Sequence, residues 1–203
     1  MKYTIARKIN MTQLFDQNGK VYPATVLSYG DIKVTQVKST EKEGYEAIQI
    51  GFGTKSVNQI SKAVKVHSGV GAEDKKGFAM LKEIKGISAA KGDVLSFDFE
   101  SGDIVTVTGI TKAKGFQGVV KRYNFKGGPR SHGQKHSERE RGSSGAGGYQ
   151  RVFKGTRMAG RMGGDMMTFK NLTVISVDTE NKLMYIKGAI PGRRGTIIEI
   201  KQK

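Results

Sequence analysis

The sequence predicts a mainly β fold, either a closed β-barrel or a sandwich, that carries a long basic extended loop. Two observations predict this class. Short stretches with strand-like alternation of apolar residues lie on both sides of the middle of the chain, and a hydrophobic content of 36% is sufficient for one core. Between them, residues 112–161 hold 13 Lys or Arg against two acidic residues, and 11 of the 28 glycines. A length of 203 residues suits one domain with a substantial insertion.

The first predicted strands come before the basic segment. Residues 31–38 (DIKVTQVK) and 45–52 (YEAIQIGF) alternate in the manner of half-buried strands. Residues 94–99 and 104–110 flank the turn sequence ESGD, and this arrangement predicts a hairpin.

Strands resume after the basic segment. Residues 171–177 and 183–190 flank DTENK and predict a second hairpin, and residues 196–201 supply a last strand. Because strands come from both ends of the chain, we expect the termini to pair within one sheet system. The predicted body therefore consists of residues 1–111 and 165–203.

A small irregular or helical insertion is predicted within the body at about residues 55–92. Ile60, Ala63 and Val64 fall on one helical face, and this spacing predicts a short helix within residues 58–66.

Residues 112–164, which we call the extension, form the second interruption. Within it, residues 126–151 contain only Ala146 and Tyr149 as apolar residues. Such a stretch cannot bury enough surface to offset its ordering entropy, so we expect it to be disordered without a partner. The flanking stretches, residues 116–125 and 151–162, contain apolar residues that could pair with each other.

Charge and composition restrict the function. The formal net charge of +17 indicates a polyanionic partner, either a nucleic acid or an anionic membrane. No apolar run reaches the roughly 18 residues that cross a bilayer, and the N-terminal sequence lacks the apolar region of a signal peptide. The absence of cysteine excludes disulfides, a thiol nucleophile and cysteine metal ligands. We expect a soluble cytoplasmic protein with no membrane partner.

No catalytic or cofactor site is predicted. His67 is interpreted as a hydrogen-bonded or solvated side chain, and His132 and His136 lie in glycine-rich sequence without an HExxH arrangement. The glycine-rich GSSGAGG is not followed by the GK[ST] of a phosphate-binding loop. The carboxylates are scattered singly. We therefore predict no catalytic residue, no metal ligand and no cofactor.

The basic segment is instead typical of an RNA ligand. Lys and Arg neutralise phosphates, and exposed aromatic rings stack on unpaired bases. Contact with RNA is favoured for Tyr149, whereas Phe125 and Phe153 fit packing at the base of the loop equally well. The residues predicted to bind RNA are Lys112, Lys114, Lys121, Arg122, Lys126, Arg130, Lys135, Arg139, Arg141, Tyr149, Arg151, Lys154, Arg157 and Arg161.

Three motifs carry a resemblance to a known family. KINMTQLF (residues 8–15), VTGITKAKGFQGVVKRYNF (107–125) and RVFKGTRMAGRMG (151–163) resemble, in order, segments of the bacterial large-subunit ribosomal protein three family. The resemblance implies a translation-protein β-barrel and a structural, non-enzymatic constituent of the cytoplasmic ribosome. It also implies primary binding near the 3′ end of the large-subunit rRNA, a role in subunit assembly, and an extension that approaches the peptidyl transferase centre. Neighbouring large-subunit proteins are the other partners implied, and no homo-oligomer is expected.

The sequence departs from the family pattern at several positions. Asn10 and Ala113 stand where glycine is common, and the tip of the extension is about one residue shorter. Gln150 does not match the position of a glutamine that some bacterial members methylate, so no modification is predicted. Two other functions stay open at this point, a free-standing RNA-binding regulator and a nucleic-acid-modifying enzyme.

Overall fold

The computed structural model describes residues 2–69, 75–96, 98–145 and 147–202. The chain divides into two compact units, one formed by Met1–Ile110 with Met166–Lys203 and one by Thr111–Asp165. The fold is mainly β, as predicted. Its strands are β1 (Tyr3–Phe15), β2 (Val21–Tyr29), β3 (Ile32–Lys38), β4 (Ala47–Ser56), β5 (Lys76–Ile84), β6 (Val94–Leu95), β7 (Ile104–Ile110), β8 (Phe116–Gln117), β9 (Gly160–Arg161), β10 (Met166–Asp178), β11 (Leu183–Lys187) and β12 (Ile197–Gln202). The helices are α1 (Thr40–Glu43), α2 (Lys62–Ser68) and α3 (Val119–Tyr123).

Six antiparallel strands of the first unit pair in a closed ring, in the order β1-β12-β7-β10-β11-β2. The expected pairing of the termini is confirmed, because β1 pairs with β12 and Tyr3 lies opposite Lys201. Along β7 the fully buried Val105 and Val107 alternate with less buried neighbours. These valines belong to a core cluster with residues such as Ile186 and Ile198. Burial of each such side chain contributes roughly 1.5–3 kcal/mol.

The second predicted hairpin is confirmed. β10 and β11 pair antiparallel, with Asp178 opposite Leu183, on either side of the predicted turn. A bulge between Val174 and Ser176 shifts the register of this pair, and another between Phe169 and Leu172 shifts the register of β10 with β7.

The first predicted hairpin is wrong. Of the described residues within 94–99, only those of β6 form a strand, and β6 pairs with β3, Ile32 lying opposite Leu95. β7 cannot accept it, because β12 and β10 occupy both edges of β7. Phe99 is nevertheless buried in the core of the ring, which explains the apolar pattern, and residue 97 lies outside the described residues.

The predicted insertion is only partly irregular. The predicted helix exists as α2, capped by Ser61, whose hydroxyl accepts a hydrogen bond from the Val64 amide. Ile60 is buried but precedes the helix, and Val64 is exposed, so the predicted apolar face is not the buried one. β5 was not predicted, and it pairs along β4 in a four-stranded sheet of order β5-β4-β3-β6.

A second core cluster joins this sheet to the ring. Tyr3 and Ile5 of β1 pack with residues of the sheet, such as Ile50 and Ile84, whereas Ala6 belongs to the core of the ring. β1 is therefore buried on both faces at its start. Among the described residues, no helix has the length and apolar character needed to cross a membrane.

Candidate nucleic-acid interface

The second unit begins and ends in an antiparallel ribbon. β8 pairs with β9, with Phe116 opposite Arg161. Next to them the Lys114 amide donates to the Met162 carbonyl oxygen at 2.9 Å. The flanks of the basic segment therefore pair with each other, as predicted, although the segment contains this ribbon and α3 rather than an extended loop alone.

A cation–aromatic cluster lies beside the ribbon. The guanidinium of Arg122 lies 5.0 Å from the centre of the Tyr123 ring and that of Arg157 lies 5.7 Å from it. Arg122 also donates from Nη1 to the Met158 carbonyl oxygen at 2.8 Å. A side chain at Gly160 would bring its Cβ to 2.7 Å from Arg122 Nη1, so glycine leaves room for the guanidinium. Two predicted cations, distant from each other in the sequence, are thus brought together around one ring.

A closed loop follows the cluster. The Gly128 amide donates to the Glu138 carbonyl oxygen at 2.8 Å, and the Arg130 guanidinium forms an ion pair with the Glu138 carboxylate at 2.8 Å. Gly127 has a φ of +73°, and any Cβ there would collide with the Glu138 carbonyl oxygen. Glycine is therefore required where the two sides of the loop meet.

A cavity of about 380 Å³ lies between the closed loop and the residues that flank it. Its lining combines two predicted cations, Lys126 and Arg141, with Phe125, Gln134 and His136. Gln134 and His136 were not predicted as site residues, because their proximity depends on the loop closure. The Gly127–Gly128 pair was the sequence signal for that closure.

The aromatic residues near the tip are exposed. Tyr149 and Phe153 are 65% and 51% exposed, and their rings meet edge to face with centres 5.1 Å apart. Arg151 lies 5.6 Å from the centre of the Phe153 ring. Exposed rings of this kind present faces on which bases can stack.

The predicted cations are accessible. Arg122 and Arg141 are half-buried, and every other predicted residue is exposed. Within the described part of the second unit, Arg130 is the one predicted cation in an ion pair. Eight others form neither an ion pair nor a ring contact in that described part: Lys112, Lys114, Lys121, Lys126, Lys135, Arg139, Lys154 and Arg161. Unpaired, exposed cations are the groups that neutralise phosphates.

The described residues offer no alternative metal site, since no group of three or more His, Cys, Asp or Glu side chains is arranged to hold an ion. His67 lies in the first unit with its Nε2 atom 2.9 Å from Gln49 Nε2, in agreement with its interpretation as a hydrogen-bonded side chain.

Comparison with known proteins identifies the family. Residues 63–183 match the family model described as ribosomal protein L3. The chain is 42% identical over 205 residues to the large ribosomal subunit protein uL3 of Finegoldia magna, an alignment that covers 100% of this chain and 98% of the relative. It is 43% identical over 201 residues to uL3 of Chlorobaculum tepidum (97% and 96% covered) and 40% identical over 205 residues to uL3 of Desulfotalea psychrophila (98% and 97% covered). With a family match over more than half of its length and relatives aligned from end to end, the chain belongs to the ribosomal protein L3 family.

Proposed function

We propose that this protein is a structural, non-enzymatic constituent of the large ribosomal subunit that binds the large-subunit rRNA through its extension. The family carries the assignment to the large subunit, since the relatives bear that name. The RNA-binding role is supported by the charge and burial of the extension.

One observation carries the RNA-binding role. Among the described residues of the second unit, Val119 is the one buried hydrophobic side chain. The thirteen cations predicted there share a single ion pair, between Arg130 and Glu138. A segment with so little core and so many unpaired cations gains its stabilising contacts from a polyanion.

The finer assignments follow from the same proposal. The body, residues 1–111 and 165–203, contains a closed barrel of the translation-protein type, and residues 112–164 penetrate the rRNA. Binding near the 3′ end of the large-subunit rRNA promotes subunit assembly, and the extension reaches toward the peptidyl transferase centre. The protein acts as a single copy in the cytoplasmic ribosome and contacts neighbouring large-subunit proteins.

Replacement in a living bacterium tests the subunit assignment. The tagged chain is expressed in place of the resident family member, and lysates are separated on sucrose gradients. We expect one copy per large subunit, retained after a moderate salt wash. Recovery of the chain only in the light fractions would contradict the proposal and favour a free-standing RNA-binding regulator.

Cross-linking to purified large subunits tests the RNA contacts. Peptides that contain the predicted residues should be recovered bound to rRNA fragments from near the 3′ end. Cross-links that map only to the body, or only to distant parts of the rRNA, would contradict the proposed contacts. The same experiment is repeated on the variant in which Lys112, Lys114 and Lys121 are changed to Gln. This variant should give a lower yield of extension cross-links.

A further inference from the structure

Two cavities in the first unit meet on the four-stranded sheet. One, of about 570 Å³, lies beside β3, β5 and the end of α2, and the other, of about 580 Å³, lies beside β2 and β4. Gly53, Thr54 and Phe78 line both cavities, so the two adjoin at these residues, and we call the two together the body groove.

The body groove is lined by unpaired cations. Lys33, Lys76 and Lys91 line its first cavity and Arg7 lines its second. All four are exposed, and none forms an ion pair within the described part of the chain. By contrast, Lys38 and Lys82, on β3 and β5 of the same sheet, are each paired with a glutamate.

The described lining carries little opposing charge. It contains one carboxylate, that of Asp31, and this group is held by the Lys182 ammonium at 2.9 Å. Among the described lining residues, the remaining charge is therefore positive. Backbone contacts place these cations: the Gly92 amide donates to the Val34 carbonyl oxygen at 2.9 Å, which holds the Lys91 loop against β3.

Aromatic rings lie among the cations. Phe78 is half-buried, and its ring lies against Gly51, where a Cβ would come 2.5 Å from ring atoms. Tyr29, also half-buried, lines the second cavity. The combination of a cationic groove and accessible rings is typical of sites that bind single-stranded nucleic acid, because phosphates follow the cations while unpaired bases stack.

We infer that the body groove is a second RNA site, which binds a short unpaired strand with phosphates at Lys33, Lys76 and Lys91 and a base against Phe78. This inference rests on the proposed rRNA-binding function and adds a contact on the body to those of the extension. Unpaired RNA is favoured over duplex because a ring can stack only on a base that is free of its partner.

The absence of tryptophan from the chain provides a local reporter. In the full-length Phe78→Trp variant, a short unstructured RNA should quench the tryptophan fluorescence on binding. The binding constant is then measured from this fluorescence at several salt concentrations. Adding Lys33→Gln, Lys76→Gln and Lys91→Gln to the Phe78→Trp variant should flatten the slope of log binding constant against log salt concentration by about two units, at roughly 0.7 per single-strand phosphate contact. The matched control Lys20→Gln/Lys42→Gln/Lys170→Gln removes the same charge from exposed positions outside the groove and should leave the slope unchanged.

The outcomes separate this inference from the proposed function. Changing Lys112, Lys114 and Lys121 to Gln in the extension should weaken total RNA binding but leave the fluorescence response of the Phe78→Trp variant intact. If the tryptophan fluorescence did not change while RNA bound to the chain, RNA binding at the body groove would be contradicted. Equal changes in slope for the groove and control triple variants would contradict it too. Either result would leave the proposed RNA contacts of the extension unaffected.

A second measurement avoids the tryptophan substitution. The unsubstituted chain is photo-cross-linked to a thiouridine-containing oligonucleotide and digested with trypsin. We expect nucleotide adducts on the peptide of residues 77–82, which contains Phe78. Adducts confined to peptides of the extension would contradict the inference.

Discussion

The Lys2 ammonium and the Asp103 carboxylate, 101 positions apart in the sequence, form an ion pair at 3.1 Å. Gln202 donates to the same carboxylate at 3.3 Å from the other end of the chain. Asp103 thus ties the beginning of β7 to both terminal strands of the ring. The Glu100 backbone amide, and then Lys2 and Gln202, hold the pKa of Asp103 below its ordinary value.

The first prediction concerns acid stability. A carboxyl group with a depressed pKa in the folded state stabilises the fold at pH values above its ordinary pKa near 4, and this contribution is lost as the pH falls through the folded pKa. Asp103→Asn should therefore lower the Tm at pH 7 and reduce the loss of stability between about pH 4 and pH 2. The comparison is a set of thermal melts of both proteins across that range. Parallel pH curves would show that Asp103 contributes nothing specific, and Asp16→Asn, at an exposed turn, is the control.

A second prediction tests the core of the ring. Val105 and Val107 are both fully buried, so Val105→Asp and Val107→Asp should each prevent folding. Burial of an unpaired carboxylate costs several kcal/mol against a total stability of about 5–15 kcal/mol. Circular dichroism and thermal melts provide the measurement. Thr108→Asp, on the same strand, is the control and should fold, since the Thr108 hydroxyl lies in an exposed contact with Thr168.

A third prediction concerns the closed loop of the extension. Gly127→Ala should open the loop, because the left-handed backbone costs a non-glycine residue roughly 1–2 kcal/mol and the methyl group collides with the Glu138 carbonyl oxygen. Amide exchange at Gly128 should then accelerate. Gly147→Ala, with open space around it, should leave that exchange unchanged. Equal exchange in both variants would mean that the loop closure does not depend on Gly127.

The fourth prediction tests order in the extension without RNA. Trypsin should cut the free protein preferentially between Lys126 and Arg151, since Lys135 and Arg139 are exposed and the described residues of this stretch contribute no side chain to the buried core. Added rRNA fragments should slow this cleavage. Protection of the free protein equal to that of the strands would contradict the expectation of disorder.

A fifth prediction separates anchoring from activity. Tyr149→Ala should still enter large subunits, because the ring is exposed and contributes little to folding. The resulting subunits should show slower single-turnover peptide-bond formation, which is what the proposed reach of the extension toward the peptidyl transferase centre implies. Tyr149→Phe retains the stacking ring and should behave like the parent. Normal activity of Tyr149→Ala would indicate that this side chain is a passive part of the tip.

Alternation of apolar residues predicts strands with one buried face most directly. β7 and β11 alternate in burial, and the predicted pairing of β10 with β11 is present in the structure. β5 carries the consecutive apolar residues Ala79, Met80 and Leu81. Because its apolar and polar residues do not alternate, no strand was predicted there. β1 is buried on two faces at its start, and alternation disappears where two cores share one strand.

The candidate interface was predictable in composition but not in arrangement. The charge count identified the cations of the extension, since unpaired surface charge requires no tertiary contact. The cluster of Arg122, Tyr123 and Arg157 and the contact of Gly128 with Glu138 join residues distant in sequence, so no local pattern contains them. The body groove was missed for the same reason, because Lys33, Lys76 and Lys91 come from three separate segments.

The pairing of β1 with β12 has a consequence for biosynthesis. Of the strands in the ring, β1 is the first to leave the translating ribosome, whereas its partner, residues 197–202, is the last. The ring therefore cannot close before β12 emerges, and until then the nascent body exposes apolar strands. The basic extension emerges earlier and can engage RNA before the body is complete. We therefore expect the nascent body to be prone to aggregation until β12 emerges, and a chain that lacks β12 to be degraded rather than assembled.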